Sequence, residues 1–152
     1  MIGVALGVIE GAASPASSRA FGSTLRLMDG LQATAARVPA MHGIWWSTFV
    51  RGDITRARDM AAHALTLAEE RGDAALRFAG HSAMGITLVH VGEFGAAQSH
   101  LESALGERGC LGADAAPALY SIDPEVQLGG ALAASLWWQG RGAEAHVRSK
   151  QA

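Results

Sequence analysis

The chain has 152 residues, 49% of them hydrophobic and 17% charged, which excludes a disordered segment and suffices for one domain with a buried core. Twelve basic residues stand against fourteen acidic ones with no basic block, so nothing favours phosphate-driven nucleic-acid binding. A single cysteine, Cys110, excludes an internal disulfide and points to the cytoplasm, and no run approaches the roughly 18 uncharged apolar residues of a membrane span.

The opening "MIGVALGVIEGAASPASS" is apolar and ends in small residues, but it lacks a positive start and carries Glu10 inside the apolar run. It therefore reads as a helix over 1–11 rather than a secretory signal. Ser14 as N-cap and Pro15 at the first helical position start a second helix over 15–34. Further helices are predicted near 38–51, 54–70, 74–91 and 93–107. The triplet "RGD" at 51–53 and again at 71–73 marks two boundaries. Each glycine suits a left-handed helix end, and each aspartate suits the cap of the next helix. In "DMAAHALTLAEE", Met60, Ala64, Leu67 and Ala68 share one face at helical spacing. The segment 108–122, with two glycines and a proline inside "RGCLGADAAPALYSI", is the one long loop. "IDPEV" at 122–126 then combines an Asp cap, a first-turn Pro and a Glu at the positive helix end, opening helices over 124–139 and 141–150. No stretch shows the two-residue alternation of a strand, so the fold class is all-α.

A rhythm runs through these helices. Gly92, Ala97 and Ala104 have the spacing of Gly52, Ala57 and Ala64, and Gly140 with Ala145 begins a third copy. A glycine at the bend and an alanine five residues on place a small side chain where two helices cross, and close crossings run at about 8–10 Å.

The pattern resembles the tetratricopeptide repeat, a helix–turn–helix unit of about 34 residues. The signature aligns on His81, Met84, Gly85, Leu88, Ala97 and Leu101 in one copy. It aligns on Gly129, Leu132, Ala133, Leu136 and Ala145 in another, and on Met41, Ile44, Trp45, Thr48 and Ala57 in the first. Trp45 departs from the small residue that the motif asks for, the late proline is missing, and the copies are spaced wider than the family's period. More narrowly, residues 38–146 are similar to the repeat region of large bacterial regulators, in which such repeats accompany ATPase, cyclase or LuxR-type DNA-binding modules. The resemblance implies a solenoid of about three to four antiparallel helical hairpins, near 1–34, 38–71, 73–108 and 123–152. These form a single domain and read as a fragment or truncated relative of a longer regulator. There is no G-x-x-x-x-G-K-[ST] phosphate loop, so the family's ATPase chemistry is not implied.

No catalytic, cofactor or metal constellation emerges. The six histidines (His42, His63, His81, His90, His100 and His146) include no H-x3-H or H-E-x-x-H pair, and they read as surface or packed residues. Cys110 has no neighbour that would lower its pKa and reads as an incidental loop thiol. Glu69, Glu70 and Arg71 close a helix in solvent.

The aromatic residues carry more. Adjacent helix positions diverge by about 100°, so Trp45 packs inside its hairpin while Trp46 points away. The resemblance implies that first helices line a concave surface. It assigns His42, Trp46, Phe49 and Val50 to that surface from one repeat, then Ser82, Ile86, Val89 and His90, then Gln127, Ala134, Trp137 and Trp138. Such an apolar groove suits a protein or peptide partner with hydrophobic anchors. Two functions are expected: a non-catalytic interaction module in signalling or transcriptional regulation, or a sensor holding a small molecule inside the superhelix. Leu136, Trp137 and Trp138, on a helix with a short partner, further predict an exposed apolar edge and self-association. No nucleic-acid or membrane partner is expected.

Overall fold

Glycines at 52, 72, 92 and 140 end four helices in the same way. Gly72 and Gly92 take φ of +61° and +81°, a region that costs a residue with a Cβ and costs glycine nothing. At each of the four, the glycine N–H donates three residues back and the next residue's N–H donates five back, as in Gly92 to Val89 (3.2 Å) and Glu93 to Leu88 (3.0 Å). These bonds satisfy carbonyls that a helix end leaves open. Asp53, Asp73 and Asp123 cap the helices that follow, with Asp73 accepting from both Ala75 N and Leu76 N at 3.0 Å.

The computed structural model describes residues 34–111 and 123–152, and before them positions 11, 13–16, 19, 20, 22 and 23. Among the described residues there is no strand, and from Thr34 onward there are six α-helices. They are α1 (Thr34–Val50), α2 (Ile54–Arg71), α3 (Ala74–His90), α4 (Phe94–Glu107), α5 (Pro124–Trp138) and α6 (Gly142–Ser149). The helix expected over 1–11, most of that over 15–34, and the loop from 112 to 122 lie outside the described residues; Pro15 is helical, with Ser14 just ahead of it.

Two boundaries differ from expectation. Helix α1 starts at Thr34 rather than near 38 and carries Pro39 in its second turn. Proline lacks the N–H that would bond four residues back, and it is tolerated best in the first turn, which is why the sequence points to a later start. The expected loop at 108 opens instead with a 3-10 turn, Arg108–Leu111, that continues α4 in a tighter winding.

Consecutive helices reverse direction and pack along their length. Across the turn at Gly92, Arg77 pairs with Glu107 and Gly85 meets Leu101. The closeness is set by glycine on one side. A Cβ placed on Gly85 would lie 2.7 Å from Leu101 Cγ, and one on Gly80 would lie 2.8 Å from Leu65 Cγ. Ala57, Ala97 and Ala104 are fully buried, as the repeated spacing requires. Helix α3 is central, packing against α1, α2, α4 and α5. Its Phe78, Met84, Ile86 and Leu88 join Trp45, Phe49, Leu101, Leu128, Leu132 and Leu136 in the main core. Val38, Ala68, Leu76 and Ala79 form a smaller cluster.

Candidate functional site

The run "WWSTF" puts Trp45 and Trp46 four and three residues before Phe49, so all three rings meet on one side of α1. Trp45 and Phe49 stack with centroids 5.5 Å apart, and Trp46 and Phe49 at 5.6 Å. From α3, His90 meets Phe49 edge-on at 4.8 Å, and its Nδ1 donates to the Ile86 carbonyl at 2.9 Å, since a carbonyl only accepts. His42 lies 5.3 Å from Trp45. Trp45 is buried, its Nε1 donating to Thr87 Oγ1 on α3 at 3.2 Å, while Thr87 donates to the Ala83 carbonyl. Trp46 is half-buried and packs on both Trp45 and Phe49, so the two neighbouring indoles differ in burial rather than pointing apart.

The residues expected along a single concave surface do not all offer surface. Ser82 and Ile86 are buried, at 4% exposure each, which corrects their assignment to an open groove. Ser82 turns its hydroxyl back to the Phe78 carbonyl at 2.7 Å, and Ile86 belongs to the core. Phe49 is buried too, as a member of the main core, which corrects its assignment to the open groove as well. Val50 and His90 are exposed, whereas Val89, Gln127 and Ala134 are half-buried.

At the far end of α5, Trp137 and Trp138 stand 64% and 67% exposed, while Leu136 beside them is buried. The expected apolar edge is therefore the two indoles without Leu136. Trp138 stacks on Phe94, at 6.2 Å and 14°, rather than on the aromatic group of α1. Phe94 was not singled out in the sequence. Its place is fixed by the Ser135 hydroxyl, which donates to the Phe94 carbonyl at 2.8 Å and ties α5 to the start of α4.

Two pockets accompany these surfaces. One of about 400 Å³ lies between α4, α5 and α6, where Arg141 donates to Gln98 Oε1 at 2.9 Å and grips the Glu144 carboxylate. That hydrogen-bonded pairing raises the Arg141 pKa and lowers that of Glu144. A smaller one of about 140 Å³ lies between α1, α2 and α3 and includes His42, whose pKa burial pushes down to about 4.

The histidines hold one arrangement that sequence spacing conceals. His81 Nδ1 and His100 Nδ1 approach to 2.9 Å across the α3–α4 turn. Ring centroids 5.0 Å apart place both nitrogens nearly on the line between the rings. That is the geometry of a shared proton, with one ring donating and the other accepting, and not of two lone pairs converging on an ion. Burial lowers the pKa of both. Among the described residues, no group of three or more His, Cys, Asp or Glu is placed to hold a metal ion. Cys110 falls in the 3-10 turn.

No protein-family model, curated protein or solved structure matches this chain. Among the described residues, no helix is long and apolar enough to cross a membrane.

Proposed function

We propose that the chain is a tetratricopeptide-like helical repeat domain that binds a protein partner without catalysis, within a cytoplasmic regulator of the bacterial signalling or transcriptional kind. The observation that carries this reading is the pair Trp137 and Trp138, each about two-thirds exposed at the end of α5. Burying a large apolar side chain is worth ~1.5–3 kcal/mol, and adjacent exposed indoles hold that energy for whatever covers them. The repeat reading is supported by the glycine caps and by the buried alanines that follow Gly52, Gly92 and Gly140 at one interval. Trp46, Val50, Val89 and His90 supply a second apolar stretch.

The test is capture of a partner from native lysate, its identification, and binding isotherms with the purified pair. Truncating an aromatic anchor costs ~2 kcal/mol or more, so Trp138→Ala and Trp46→Ala should each weaken binding about thirtyfold. Folded variants that both bind as wild type would sink this reading.

The pocket of about 400 Å³ favours a second reading, a small-molecule sensor, because it falls within the size range of ligand sites. A metabolite that raises the melting temperature of wild type but not of Arg141→Ala would select it.

A further inference from the structure

The pocket between α1, α2 and α3 exists because two repeats exchange large for small. Nine residues after Gly92 stands Leu101, which fills the space over Gly85. Nine residues after Gly52 stands Ala61, facing Trp45 across the same turn geometry. One flat indole does not replace a branched side chain, and Ala79 and Ala83 of α3 add no bulk from the third side. About 140 Å³ is left.

Its size and walls define what it can take. Drug-sized ligands need roughly 300–1,000 Å³, so they are excluded. An enclosed apolar cavity of about 150 Å³ stays dry and admits benzene or xenon; this pocket has that size and a mainly apolar lining, with His63 exposed at its rim. Among the described residues, no Asp, Glu, Lys or Arg lines this one. The His42 ring in its wall stays neutral at pH 7, and Met41 and Met60, half-buried, are flexible enough to fit their thioethers around a guest.

We propose that this pocket is a binding site for an uncharged, benzene-sized apolar molecule, held between Trp45, the three alanines and the two methionines. Ala61, Ala79 and Ala83 are buried away from solvent, while His42 in the wall is half-buried and also belongs to the expected groove.

Benzene titration of the full chain, followed through the methyl signals of Met41 and Met60, tests it. The expected result is saturable shifts at both methyls, with benzoate giving none, because its carboxylate would have to leave water for a wall of mainly apolar atoms. Ala79→Leu and Ala83→Leu, which fill the space, should each weaken benzene binding at least tenfold, while Val126→Ser, on the exposed face of α5, leaves it unchanged. Absence of saturation up to the solubility of benzene overturns the proposal. So does equal binding of benzoate, or wild-type affinity in both filled variants. Should the filled variants fail to fold, the comparison of benzene with benzoate on wild type decides alone.

Discussion

Trp45 and Trp46 show how one residue of register divides structure from surface. Trp45 is locked by its bond to Thr87 and by the stack on Phe49, so Trp45→Ala should destabilise by about 3–5 kcal/mol, as large aromatic truncations do. Trp46→Ala, made at a half-buried ring, should cost much less. Reversal of that order in urea denaturation would shift the register of α1. His42 makes a second residue-scale argument. Its folded pKa of about 4 lies below its ordinary 6.5, so the unfolded chain takes up the proton first. Stability from this group is full above pH 6.5 and drains as pH falls toward 4, with about 2 kcal/mol gone by pH 5. His81 and His100, also lowered by burial, pull in the same direction. Denaturation at pH 8 and pH 5 should show a large loss for wild type and a clearly smaller one for His42→Leu. Equal losses would mean that His42 does not carry the slope.

Within and between the helices, glycines of opposite meaning can be told apart by what a methyl group would touch. On Gly85 it would press on Leu101 at 2.7 Å, with the Leu101 backbone nitrogen 3.2 Å away, whereas on Gly130 nothing lies within 4 Å. Replacing a mid-helix glycine by alanine gains ~1 kcal/mol of helix propensity, but overpacking costs ~1–3 kcal/mol. Gly130→Ala should therefore raise the melting temperature and Gly85→Ala lower it; the same sign for both would contradict the close crossing. The chain's local chemistry made the caps readable in advance. Asp53, Asp73 and Asp123 act on N–H groups two or three residues away, and the turn glycines need nothing from the rest of the fold. The His81–His100 contact, the seat at Gly80 and the Phe94–Trp138 stack were not readable. Each depends on how far one helix slides along another, and residue spacing in the chain does not carry that distance. The groove list failed at Ser82 and Ile86 for the same reason, because which face of α3 is covered depends on four neighbouring helices.

For the molecule as a whole, the exposed indoles of α5 set the behaviour in solution. At tens of micromolar, sedimentation should show self-association that the double change Trp137→Ser and Trp138→Ser reduces; a concentration-independent monomer would contradict this. The central position of α3 has a different consequence. A helix held by four others can lose its hydrogen bonds only when most of the molecule comes apart, whereas α6 packs chiefly on α5 and can peel away alone. Opening should therefore be graded. The amide protons of α3 should trade with deuterium at the rate of global unfolding, and those of α6 orders of magnitude sooner. Equal protection of the two would mean that the chain opens in one step, with no part of it free to loosen ahead of the rest.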